Sequence, residues 1–108
     1  MDKLNEVADD LKLLGDKTRL MMLGLLQERE WCVCEFVELF EISQPAISQH
    51  LRKLKDKGMV KESKRGQWKH YSLNVEGKPH ITAVLHGLPD SHTLLASLNK
   101  TEVTACCD

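Results

Sequence analysis

A mainly α-helical chain carrying one small β-hairpin is the fold these 108 residues predict, on three observations. Apolar residues recur at helical spacing from Leu4 to Leu54. The period then changes from 3.6 to 2 over Met59–Ser63 and Trp68–Leu73, with Lys64-Arg65-Gly66-Gln67 as the connection. Directly before that hairpin stands a helix whose outer face is polar and basic. A basic hairpin following such a helix is the winged helix-turn-helix arrangement, expected here as a dimer.

The elements follow in order. The first helix is predicted from about Lys3 to Leu14, with Leu4, Val7, Leu11 and Leu14 at helical spacing. Gly15 ends it and Asp16 caps a second helix, Thr18 to about Gln27. That helix is apolar over more than one face, so it is either fully buried or shared with a partner subunit. Gly24 inside it costs about 1 kcal/mol relative to alanine and predicts a close helix crossing. A short third helix should cover Cys34 to Phe40, partly burying Phe36, Val37 and Phe40, with Glu41-Ile42 as the turn. Ser43 is the N-cap of the fourth helix and Pro45 falls in its first turn. Ile47, Leu51 and Leu54 form its buried stripe, and Gly58 closes it. After the hairpin, Pro79 opens a helix through Ile81, Val84, Leu85 and Leu88. Pro89 breaks or kinks it before Leu94, Leu95 and Leu98 continue the apolar stripe.

Composition is that of an ordinary globular chain, 42% apolar and 29% charged, with no repeat or low-complexity run. The organisation expected is one domain over residues 1–100, for DNA binding and dimerisation, and a flexible cysteine-containing tail over 101–108. No stretch approaches the roughly 18 apolar residues of a membrane span. The N-terminus carries early acidic residues and no continuous apolar run, unlike a secretory signal. A cytoplasmic location with reduced thiols is the expectation. The net charge of −1 conceals an asymmetry. Between His50 and His70 stand eight Lys or Arg against Asp56 and Glu62, a balance of +6, and the rest of the chain carries −7. One focused positive surface with acidic flanks follows.

Major-groove recognition needs side chains that pair with base edges and cations that meet phosphates. Gln44, Ser48, Gln49 and His50 suit the first task; Arg52, Lys53, Lys64 and Arg65 suit the second. The competing reading is a solvated amphipathic helix or a protein-interaction module. A capped helix, a basic hairpin and the +6 segment together favour double-stranded operator DNA. One copy offers too small a footprint for a specific operator, so a two-fold homodimer reading two half-sites is expected.

Trp31-Cys32-Val33-Cys34-Glu35, Ile42-Ser43-Gln44-Pro45-Ala46-Ile47-Ser48-Gln49-His50-Leu51, Gly58-Met59-Val60 and Gly66-Gln67-Trp68-Lys69-His70-Tyr71-Ser72-Leu73 carry a family resemblance. The chain resembles the ArsR/SmtB family of bacterial metal-sensing repressors, and its arsenic-responsive branch in particular. The likeness covers roughly Leu11 to Leu73, and Asp16-Lys17-Thr18-Arg19 is similar to the family's entry into the second helix. It implies a homodimer that occupies its operator when free of ligand and leaves it when an ion binds.

Thiolates select soft ions. The Cys32 and Cys34 pair is similar to the family's arsenite, antimonite, cadmium and lead sites in the third helix, which add thiolates from elsewhere. Cadmium-type members supply them from an N-terminal extension, but no cysteine precedes Cys32 here; only Cys106 and Cys107 remain. A three-thiolate pyramid suits As(III), as the arsenic branch implies, so As(III) or Sb(III) is the expected inducer, with no organic cofactor. Side chains at i and i+2 do not face each other on a regular helix. Gripping one ion therefore requires an irregular or deformed first turn of the third helix, which would shift the helix behind it. The opposing reading makes Cys32 and Cys34 small half-buried hydrophobes, although Val33 between them is expected to take the buried role.

The family's zinc branch uses carboxylates and imidazoles on the last helix. Asp90-Ser91-His92 begins in that way, but no histidine follows at the required distance, and His80 and His86 do not share a helical face. An enzyme is not expected: the chain has no glycine-rich phosphate loop and no nucleophile with a plausible base. The alternatives kept are thiol redox sensing, a Cd(II)- or Pb(II)-sensing repressor of the same fold, and a structural zinc thiolate site.

Overall fold

The computed structural model describes residues 2–98. The expected tail, with Cys106 and Cys107, lies outside the described residues. The elements run α1 (Asp2–Leu13), α2 (Lys17–Leu26), β1 (Trp31–Cys32), α3 (Val33–Phe40), α4 (Gln44–Asp56), β2 (Val60–Arg65), β3 (Trp68–Leu73), α5 (Pro79–His86) and α6 (Ser91–Ala96). Three helix starts are set by side-chain caps that satisfy an otherwise orphaned N–H. Asp16 accepts from the Arg19 N–H at 3.1 Å, Ser43 from Ala46 at 3.3 Å, and Asp90 from Thr93 at 2.8 Å. Glu41 turns the chain between α3 and α4 with φ 56, a left-handed conformation unusual for a residue with a side chain.

β1 is the element that periodicity did not predict, because two residues carry no period. It joins the hairpin as a third antiparallel strand, in the order β1-β3-β2, with Trp31 opposite Tyr71 and Cys32 opposite His70. The hairpin is also tighter than expected. Arg65 pairs with Trp68, so Lys64 and Arg65 belong to β2 and the turn is Gly66-Gln67 alone. Gly66 takes φ +62, which a two-residue hairpin turn demands of its first residue.

Met21 to Leu26 are all buried because α2 is packed on three sides, by α4, β3 and α6. A Cβ at Gly24 would stand 2.8 Å from Leu94 Cδ1 and 3.2 Å from Leu88 Cδ1, so the close crossing is with the segment around α6. Ile47, Leu51 and Leu54 of α4 meet Phe36 and Leu39 of α3 in the same core. In α3 it is Phe36 and Leu39 that are buried, while Val37 and Phe40 are half-buried. Trp31 stacks on Phe36 at 5.0 Å between ring centres, and Arg29 lies 4.0 Å over the Trp31 ring.

The first helix departs from its simple stripe. Leu4 is 58% and Leu11 45% exposed, whereas Asp10 is fully buried. The Asp10 side docks on the start of α5: the Lys78 ammonium and His80 Nε2 each stand 2.8 Å from Asp10 Oδ2, and Lys78 also meets Glu6 at 3.1 Å. Burial pushes the Asp10 carboxyl up, but its bonds to Lys78 and His80 outweigh that and hold it below the ordinary range. Glu6, Asp10 and His80 bring their ligand atoms within 4.8 Å of one another. The Lys78 ammonium already supplies the positive charge there, which makes the group a buried ion pair.

Candidate DNA interface and thiol site

Cys32 is the N-cap of α3, in extended conformation at φ −99 and ψ 164, and Cys34 is the second residue of the helix. An extended residue followed by a helical one turns the two side chains to the same side, and the sulfurs stand 3.0 Å apart. Of the irregular or deformed helix start expected from i, i+2 spacing, the structure has the irregular one, since Cys32 is an extended residue just ahead of the helix. Glu35 secures the corner by accepting from the Cys32 N–H at 2.9 Å, and Arg29 holds Glu35 in turn at 3.1 Å. Burial is the reverse of expectation: Cys32 is 1% exposed, while Val33 is only half-buried. Cys32 fills the core side because the β1–β3 pairing turns it inward. Cys34 is half-buried at the rim.

Gln44 and Ser48 lie one turn apart on α4 and share a cleft of roughly 210 Å³ with Val33, Cys34, Gln67, Trp68 and Lys69. The cleft thus joins one thiol to two side chains nominated for base contact and to the wing strand β3. One turn further along, Ser48, Arg52, Lys55 and Lys69 line a second groove between α4 and the sheet. Lys55 and Lys69 belong to the basic segment, and alternation along β3 is the sequence signal that points to Lys69. The groove floor is fixed by Glu62, which accepts from Tyr71 Oη at 2.8 Å and Lys55 Nζ at 3.3 Å. The Tyr71 bond, more than Lys55, holds the Glu62 carboxyl below its ordinary value. Burial, then Glu62, pushes the Tyr71 hydroxyl well up.

The remaining nominated residues divide by position. Gln44, Gln49, Arg52 and Lys53 are exposed on α4, and Lys64 and Arg65 are exposed on the wing. Arg65 is paired with Glu30, two residues ahead of Cys32. Ser48 is half-buried toward the sheet, and His50 is half-buried toward α2, where its Nδ1 lies 3.1 Å from Arg19 Nη1. Asp90 is engaged as the α6 cap, and His86 and His92 are exposed.

Residues 16–62 match the family described as bacterial regulatory protein, arsR family. The arsenical resistance operon repressor of Staphylococcus xylosus is 41% identical over 76 residues, covering 70% of this chain and 73% of the relative. The chain belongs to the arsR family. The arsenic resistance transcriptional regulator ArsR1 of Pseudomonas putida is 40% identical over 82 residues, 75% of this chain but only 64% of that regulator's length. Among solved structures, reduced HlyU from Vibrio cholerae superposes with a TM-score of 0.71 at 30% identity, covering 86% of this chain and 92% of that one. Membership makes this arsR-family chain a DNA-binding transcriptional regulator and not an enzyme, and its helices and small antiparallel sheet have the winged-helix architecture of its structural neighbour. Among the described residues no helix is long and apolar enough to cross a membrane.

Proposed function

We propose that this chain is an arsenite- or antimonite-responsive repressor that binds operator DNA as a homodimer and leaves it when thiolates take up the ion. The observation that carries the reading is the convergence of the Cys32 and Cys34 sulfurs at 3.0 Å, where β1 enters the wing sheet and α3 begins. Its relatives from S. xylosus and P. putida bear arsenical-resistance names, which supports the same ion class. Cys32 and Cys34 would supply two thiolates to a soft ion, and Cys106 or Cys107 a third.

Two routes lead from that site to DNA. Cys32 is paired with His70 of β3, so its displacement is felt by the wing. Cys34 lines the cleft with Gln44 and Ser48, so an ion and its third ligand would press on the first turn of the recognition helix. In this reading Gln44, Ser48, Gln49 and His50 address bases, and Arg52, Lys53, Lys64 and Arg65 address phosphates. The exposed Leu4 and Leu11 of α1, one face of one helix, support a homodimer that covers them.

The test is fluorescence anisotropy of the protein on its own upstream DNA, with reductant present, during arsenite titration. Release near one ion per subunit is the expected result; binding indifferent to arsenite and antimonite would refute the reading. The 3.0 Å separation also favours one second reading, in which oxidation joins the two sulfurs and releases DNA. That release would be reversed by reductant, whereas arsenite acts in its presence.

A further inference from the structure

The recognition helix is held against the body of the protein by a polar contact that the core stripe does not explain. At about 100° per residue, His50 lies on the flank of the Ile47–Leu51–Leu54 stripe and roughly 160° around the helix from Ser48. Ser48 faces the wing; His50 faces α2. There its Nδ1 is 3.1 Å from Arg19 Nη1. Arginine can only donate, so Nδ1 is the acceptor and a neutral ring carries its proton on Nε2. The same guanidinium donates from Nε to the Leu13 carbonyl at 2.8 Å, at the end of α1. The Arg19 backbone N–H is bound by the Asp16 cap at 3.1 Å. One side chain therefore ties together the end of α1, the start of α2 and the middle of α4.

We infer that His50 and Arg19 form a bolt that sets the rotation of the recognition helix, and that His50 serves DNA binding as a positioning residue. This rests on the DNA-reading function proposed above and changes the role of one residue within it. A winged helix presents base-reading side chains along one face, and a rotation of α4 about its axis would carry Gln49, Arg52 and Lys53 off register together. Hydrophobic packing of Ile47, Leu51 and Leu54 resists translation but is tolerant of small rotations. A directed hydrogen bond on the flank is not. The bolt holds only while the imidazole is neutral, since a protonated ring has no acceptor at Nδ1 and would face the Arg19 charge. The charged groups around it are Asp16, the cap of α2, Arg19 from α2 and Lys53 from its own helix. Burial first, with Arg19 and Lys53 adding to it against Asp16, holds the ring below the ordinary histidine value.

The experiment compares Arg19→Ala, His50→Ala, His50→Asn and the Arg19→Ala/His50→Ala double variant by anisotropy on the protein's upstream DNA, across salt and pH. Each alanine variant should weaken binding about tenfold, with the double variant no weaker than either one. The slope of log affinity against log salt should stay at the wild-type value, because neither residue neutralises a phosphate. Asparagine, whose amide oxygen can accept from Arg19, should restore part of the affinity. Wild-type affinity should fall as pH drops below about 6.5, the ordinary histidine value, while Arg19→Ala is flat over that range. Multiplying effects in the double variant, or a loss in His50→Ala confined to one operator base pair, would overturn the bolt and return His50 to base contact. Nitrogen NMR of the free protein reads the same bolt without DNA: Arg19→Ala should relax the Nε2–H tautomer, and an unchanged tautomer would overturn the inference. If Arg19→Ala does not fold, His50→Asn and the pH profile carry the test. Wild-type protein that binds no DNA at all would instead sink the DNA-reading function, an outcome visible before any variant is compared.

Discussion

Replacing Cys32 or Cys34 with serine removes the same kind of donor from two different surroundings, and the difference can be worked out. Cys32 is 1% exposed, in β1, with Trp31 beside it and His70 across from it. Serine there puts a hydroxyl where a sulfur had packed, at a cost of about 1–3 kcal/mol unless it finds a partner. For a domain of this size each kcal/mol lowers the melting temperature by about 4–8 °C, so Cys32→Ser should melt roughly 5–20 °C lower. Cys34 is half-buried at the cleft rim in the first turn of α3. Serine is well tolerated there, and a cost within about 0.5 kcal/mol is expected. The loss of ion response should nonetheless be equal, because an ion held by three thiolates loses one in either variant. The assay pairs a thermal melt with arsenite titration of the DNA complex under reductant. Cys34→Ser should bind DNA as wild type does and ignore arsenite. Release of that variant at the wild-type arsenite ratio would refute the thiol site, and equal melting losses at the two positions would refute the burial argument.

Four further outcomes follow from particular contacts. Asp10→Asn leaves the Lys78 ammonium, 13% exposed, without its closest carboxylate, and should cost about 3–5 kcal/mol by loosening α1 from α5; a urea melt measures it. Glu30→Gln frees Arg65 from its pairing and should raise DNA affinity by no more than about fivefold, given the small worth of exposed pairs, with the gain fading at high salt. On acidification, the carboxyls of Asp10, Asp16 and Glu62 are all held below their ordinary values. They contribute stability above about pH 4 that is lost as the pH falls further. Tyr71→Phe removes the bond that lowers Glu62 most, so its melting temperature should fall less steeply with pH between about pH 5 and 3 than that of wild type.

Much of this architecture was legible in the sequence because it rests on local chemistry. Asp16, Ser43 and Pro45 mark helix starts by what their side chains and rings do to nearby N–H groups. Ile47, Leu51 and Leu54 mark a face by spacing alone, and Gly24 foretold a close crossing through its missing Cβ. The cysteine pair and the basic segment were equally visible as residue types. What the chain's order could not convey is which distant groups meet. β1 has only two residues, and its existence depends on β3 arriving from some forty positions later. That pairing turns Cys32 inward and makes it an extended cap, so the sulfurs converge without bending a helix. Asp10 reads as an ordinary surface residue until the Lys78 ammonium comes to neutralise it and His80 to hydrogen-bond it, which leaves the leucines of α1 outside. His50 reads as one more polar residue on a recognition helix until Arg19 closes on its ring. Residue type and spacing determined the helices, the wing and the thiols; burial and hydrogen-bond partnership, which depend on contacts between remote segments, were decided only by the folded chain.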